Sequence, residues 1–190
     1  MQTETKSKVR EFINPEKLLS AIPVEPGMVV ADFGAGNGHF AVAAARLAGR
    51  KGQVRAYDIM EEALSQTATL ARMSGVPNVS THQCNLEKAG ACDLEETSAD
   101  LVIMSSILHQ VAGKDNLIRE AYRVLKTGGR ILVVEWKKES PLGPAVSERL
   151  DMAAARQLLE ARGLHPASPA GGPQGELPAG AFHYALMYSK

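Results

Sequence analysis

The densest concentration of chemically useful residues is the stretch ADFGAGNGHF, residues 31–40. Asp32 stands two places before three glycines at alternate positions, Gly34, Gly36 and Gly38, and just after the apolar run MVV. Glycine gives up more backbone freedom on folding than any other residue, so three in a row mark main chain that must come close to something. Two kinds of ligand use glycine turns after an opening strand. A dinucleotide wants G-x-G-x-x-G, with its pyrophosphate on the next helix N-terminus. Here the spacing is G-x-G-x-G, and a carboxylate two residues upstream would repel a pyrophosphate. The acid suits a ligand that brings positive charge or amine donors.

S-adenosylmethionine has both, as a sulfonium and an α-amino group. Methyl transfer from it is an in-line displacement in which the protein mainly positions two reactants, and a base is needed only if the nucleophile must lose a proton. His109 is the candidate base, because an imidazole titrates near 6.5; the alternative is a short helix, ILHQV, whose histidine only packs over the cofactor. Ser105, Ser106 and Gln110 fall beside it in sequence, and Glu135 with Trp136 form a second group. Trp136 either walls a substrate pocket or caps the sheet. Glu135 can be a plain strand-end carboxylate, and His39, after Gly38 at the helix start, either lines the pocket or faces solvent.

Strands and helices must position these groups. MVVADF (28–33), QVRAYDI (53–59), VSTHQC (79–84), ADLVIMSS (99–106), RILVVEW (130–136) and AFHYALMYS (181–189) read as strands. Between them lie a leading helix at 14–22 and helices at 37–48, 60–75, 115–129 and 147–163, the 115–129 helix ended by Gly128 and Gly129. Alternation at this spacing predicts an α/β fold with a doubly wound, mostly parallel sheet covered on both faces. Such sheets bind ligands beyond the carboxyl ends of their strands, where strand order reverses. That places Ser105, Ser106, His109 and Gln110 after the fourth strand opposite Glu135 and Trp136 at the end of the fifth.

Composition narrows the class. The 190 residues suffice for one domain with a sizeable core. Lysine and arginine total 21, as do aspartate and glutamate, so net charge is zero and no broad footprint for nucleic acid exists. No apolar run is long enough to span a membrane, and the N-terminus lacks the apolar core of a secretion signal. Cys84 and Cys92 fit no metal spacing and read as thiols in a reducing cytoplasm. No metal site is expected.

Asp32-Phe-Gly34-Ala35-Gly36-Asn-Gly38 resembles the first motif of class I S-adenosylmethionine-dependent methyltransferases, and the resemblance runs through nearly the whole chain. Asp58 follows Gly38 by 20 residues, at the end of the second strand. HQCNLE, ADLVIMSSILHQV and AYRVLKTGGRILVVEW resemble later segments of the small-molecule branch. The resemblance implies a Rossmann-like, seven-stranded sheet with an antiparallel last strand, one domain over 1–190, and S-adenosyl-L-methionine as cofactor. It implies that Asp32, Gly34, Ala35, Gly36 and Gly38 shape the methionine pocket. Asp58, with Ile59, would grip the ribose; its other reading is a helix cap. Asn85 and Leu86 would meet the adenine, Asn85 at a position that is often Asp, and Ser105 would complete the pocket.

Several subclasses lack their signatures. No Asn-Pro-Pro-aromatic motif follows the fourth strand, no Pro-Cys pair is placed for cytosine methylation, and two cysteines are too few for arsenite. The expected reaction is methyl transfer to a small molecule. The alternatives are a non-catalytic cofactor- or partner-binding domain, or a methyltransferase of protein or RNA. The loops 137–144 and 163–180 should border the acceptor side, which is open or completed by segment 1–20 of the N-terminal helical segment 1–22, or by a second copy in a homodimer.

Overall fold

The computed structural model describes residues 13–88, 90, 92–167 and 175–190. Residues 1–12 of the N-terminal segment and 168–174 of the Gly/Pro-rich loop lie outside the described residues. The order of elements is α1 (Pro15–Ser20), β1 (Val29–Phe33), α2 (His39–Ala48), β2 (Gln53–Asp58), α3 (Glu61–Met73), β3 (Val79–Gln83), β4 (Ala99–Ser105), α4 (Lys114–Val124), β5 (Leu125–Trp136), α5 (Met152–Ala161), β6 (His165–Pro166), β7 (Glu176–Leu177) and β8 (His183–Ser189). The sheet runs β3-β2-β1-β4-β5-β8-β6, with β7 also paired to β8. β1 to β5 are mutually parallel, whereas β8 lies antiparallel to β5.

The apolar runs form strands because each is buried on two faces. On β4, Val102 and Met104 join the core under α4 and α5, and Leu101 and Ile103 join the core under α1 and α2. On β5, Ile131 and Val133 face the first side and Leu132 and Val134 the second. A strand covered by helices on both faces has no polar side to show, which is why these segments read as continuous rather than alternating. Strand order reverses between β1 and β4, and that is where the carboxyl ends leave a crevice.

Four expectations need correction. The sheet has eight strands rather than seven, because β6 and β7 are two-residue pieces that each pair with β8. The helix expected over 115–129 stops at Val124, before its glycines. Leu125 turns extended, with φ −67° and ψ 133°, and pairs with Ala99, so strand pairing of a buried leucine overrides helical propensity. The helix expected over 147–163 starts only at Met152, where the Ala153 N–H donates to Asp151 Oδ1 at 2.8 Å. Residues 146–149 ahead of it form a separate turn, from which Arg149 donates to carbonyls of the loop after β5. ILHQV forms a turn rather than a helix.

Candidate functional site

The crevice between β1 and β4 holds a cavity of about 1140 Å³. A pocket for one drug-sized ligand spans roughly 300–1,000 Å³, so this one has room for two reactants. Of the expected cofactor residues, Asp32, Gly34, Ala35, Gly36, Asp58, Ile59, Asn85, Leu86 and Ser105 line it, and so do Ser106, Gln110 and Trp136. His39 lines its rim and is exposed.

Asp32 sits within β1, paired with Ala56 of β2 and Ile103 of β4, and is 1 % exposed. Its Oδ2 has no hydrogen-bond partner among the described residues. A buried unpartnered carboxylate oxygen is costly to leave in place, and such groups call for an explanation. Burial pushes its pKa up to about 7, opposed by the Ala41 amide at the start of α2 and reinforced by the charge of Asp58.

The glycine loop explains how a ligand would reach this acid. Gly34 has φ +76°, and a Cβ on it would lie 2.5 Å from Cδ1 of Ile107, so the main chain here admits no side chain. Ile107 is delivered by an unusual turn: Ser106, a non-glycine residue, has φ 54°, and its N–H donates to Val134 O at 2.8 Å. Backbone held in this sparsely populated region is found where surroundings over-determine it, often at functional sites. Gly38 does not line the cavity. A Cβ there would sit 2.8 Å from Thr67 Cα, so this glycine lets α2 start against α3.

Asp58 is both a loop tie and a cavity residue. Its Oδ2 accepts the Gly36 N–H at 3.0 Å, and its Oδ1 accepts the Met60 N–H at 3.0 Å. A carboxylate has about four lone-pair positions, so two remain for hydroxyl donors. Thr67 Oγ1 donates to Gly36 O at 2.9 Å and holds the same loop from α3; sequence reasoning did not single it out. Asn85 combines its two expected roles: Oδ1 accepts the Glu87 N–H at 3.0 Å in a local turn, and the residue lines the cavity.

His109 does not line the cavity. Its Nδ1 lies 2.7 Å from Oε2 of the fully buried Glu135, and its N–H donates to Oε1 at 3.2 Å. The imidazole thus ties the turn after β4 to the end of β5. Besides His39 at the rim, the histidine that lines the cavity is the buried His183, at the start of β8, with Trp136 directly opposite it across the strand pair. Its signal in the sequence is one polar residue heading an otherwise apolar strand.

Among the described residues no group of three or more His, Cys, Asp or Glu could hold a metal, and no helix is long and apolar enough to cross a membrane.

Comparison with known proteins completes the description. Residues 24–171 match the family described as a methyltransferase domain. The chain is 34% identical over 160 residues to the ubiquinone/menaquinone biosynthesis C-methyltransferase UbiE of Pasteurella multocida, a match covering 76% of this chain and 59% of that protein. It is 37% identical over 114 residues to UbiE of Vibrio vulnificus (strain YJ016), covering 60% and 43%. The chain therefore spans about half the length of the curated relatives it matches. Among solved structures, a SAM-dependent methyltransferase from Aquifex aeolicus superposes with a TM-score of 0.82 at 24% identity, covering 93% of this chain and 89% of the other. The [4+2]-cyclase SpnF superposes with 0.68 at 22% identity, covering 80% and 56%. At these identities the structures establish the fold alone, and a shared fold hosts more than one chemistry. The sequence match over most of the chain is what decides: the chain belongs to the methyltransferase-domain family, in its class I, S-adenosylmethionine-dependent form.

Proposed function

We propose that this protein transfers a methyl group from S-adenosylmethionine to a small-molecule acceptor. The observation that carries the reading is Asp32, a buried residue that lines a cavity beside main chain that admits no side chain at Gly34, and whose Oδ2 has no partner among the described residues. The residues fit the cofactor. Asp32 would accept its ammonium, Asp58 its ribose hydroxyls with the lone pairs that the loop leaves free, and Asn85 and Leu86 its adenine by side chain and backbone. When bound, the cofactor supplies an electrophilic methyl group on a sulfonium. The chain's own part is to orient two ligands in one cavity and keep water from the line between them. Ser105, Ser106, Gln110, Trp136 and His183 form the wall left for the acceptor.

The relatives are named for carbon methylation in quinone biosynthesis, and the acceptor panel for this chain starts with hydroxylated aromatic rings. We place the enzyme in the cytoplasm, where Cys84 and Cys92, both free, stay reduced. Calorimetry with S-adenosylmethionine and S-adenosylhomocysteine tests the reading. Saturable binding of both supports it; absence of both at millimolar concentration removes it. Binding of both without methyl transfer to small molecules, combined with label entering protein or RNA from a cell extract, would reassign the acceptor.

A further inference from the structure

We propose that His183 is the residue that meets the acceptor, taking a hydrogen bond from its hydroxyl or N–H on an imidazole nitrogen. This rests on the methyltransferase reading above. His183 is 4 % exposed, yet it lines the cofactor cavity. It also lines a second cavity of about 560 Å³, bounded by residues 137–139, 150–153 and 176–180. Among the described residues it is the only one on both walls. His183 therefore stands between the two cavities, with the 137–139, 150–153 and 176–180 segments behind it.

The ring is fixed by packing instead of by a hydrogen bond. Trp136 and His183 are direct cross-strand partners, and their rings lie 4.1 Å apart at 43°. Gly143 also packs on the indole, where an added Cβ would come within 2.5 Å of Trp136 Cε3. The 137–144 loop and the imidazole thus both touch the indole. Nδ1 of His183 has no hydrogen-bond partner among the described residues. A polar atom so buried calls for a partner, and the described residues supply none.

The chemistry of the ring sets the class of partner. Burial holds the His183 imidazole below the ordinary histidine range, and Lys137 pushes the same way, while the Glu135 carboxylate pushes against both. Glu135 is engaged twice by His109. A neutral imidazole offers one acceptor nitrogen. An acceptor with a hydroxyl or N–H satisfies it. A hydroxyl or N–H pairs with Nδ1 in either tautomer, whereas a tertiary amine or a thioether pairs only when Nδ1 carries the hydrogen. His183 therefore favours protic acceptors.

Phenol and anisole, which share a ring and differ in the hydroxyl hydrogen, separate these cases. Protein with isotope-labelled histidine is saturated with S-adenosylhomocysteine and titrated with each, following the imidazole nitrogens by NMR. The His183 resonances are those missing from His183→Asn, with His183→Gln providing the assignment if that variant does not fold. Phenol is expected to move the His183 nitrogen saturably and leave His39 unmoved, and anisole to move neither. His183→Asn is expected to bind S-adenosylhomocysteine within about twofold of wild type while binding phenol at least about threefold more weakly. If S-adenosylhomocysteine binds and the two probes move His183 equally, or neither moves it, the proposal is overturned. If wild-type protein binds no S-adenosylhomocysteine, the methyltransferase reading falls and takes this one with it.

Discussion

Oε2 of Glu135 lies 2.7 Å from Nδ1 of His109, and Oε1 of the same carboxylate accepts the His109 N–H at 3.2 Å. One buried carboxylate thereby holds both the backbone and the ring of a residue in the turn after β4, across from the strand end that carries Trp136. The pair fixes the mouth of the cavity from behind its wall. Glu135→Ala leaves two donors without their acceptor and is expected to destabilise the fold by about 2–4 kcal/mol, whereas Glu135→Gln, which keeps an acceptor oxygen, loses less. Urea titration measures both. Equal midpoints for Glu135→Ala and wild type would show that the pair holds nothing.

Asp32 predicts a pH dependence of stability. The unfolded chain releases this proton near 3.8 and the folded chain near 7, so in that interval the folded state binds more protons. Stability of the ligand-free protein therefore falls as pH rises from about 4 to about 7 on account of this group, by up to about 4 kcal/mol. Asp32→Asn removes the slope and is expected to be the more stable protein at pH 8. Thermal melts at intervals of one pH unit test it, and an unchanged slope in the variant would assign the dependence elsewhere.

The same carboxylate must be charged to hold an ammonium. Affinity for S-adenosylhomocysteine is expected to rise from pH 5.5 to pH 8 in wild type and to be weak and nearly flat in Asp32→Asn. Calorimetry in two buffers of different ionisation enthalpy should also show proton release on binding near pH 6.5. Pairing draws the raised pKa back down. Binding that strengthens on acidification would contradict the assignment.

Asp58→Ala is expected to weaken S-adenosylhomocysteine by roughly 1–3 kcal/mol. It also removes acceptors from the Gly36 and Met60 amides, so the ligand-free protein should lose about 1 kcal/mol of stability. Asp58→Asn keeps one side-chain oxygen and should fall between. Measuring affinity and stability on the same samples separates the two roles, and unchanged affinity in Asp58→Ala would take the residue out of the ribose site.

Arg149 organises the acceptor side. The residue is 8 % exposed and its guanidinium donates to the carbonyls of Pro144, Lys137, Lys138, Ser140 and Leu142. An ammonium has three donors, so Lys cannot satisfy five carbonyls. Arg149→Lys is expected to speed proteolysis within 137–144 severalfold while leaving S-adenosylhomocysteine affinity unchanged, because the loop touches Trp136 and not the glycine turn. An undiminished resistance to protease would mean that the loop is held by its own turns.

The sequence by itself determined the parts whose cause is local or periodic. Two-sided apolar runs specified the parallel strands, and glycines beside an acid specified the loop that Asp32, Gly34 and Gly36 build. Asp58 was legible through the family resemblance, as the acid ending the second strand 20 residues after Gly38. Tertiary structure alone decided the rest. Leu125 left its helix because pairing with Ala99 buries it, and Arg149 lies ahead of its helix, in a turn from which the guanidinium gathers five carbonyls of the loop after β5. Which histidine faces the cavity was decided in the same way. His109 has the sequence position of a base, but Glu135, 26 residues on, draws its ring behind the wall. His183 reaches the cavity because an antiparallel last strand brings residue 183 opposite residue 136. Registers between strands far apart in the chain are set by the packing of the whole sheet, and no local pattern encodes them.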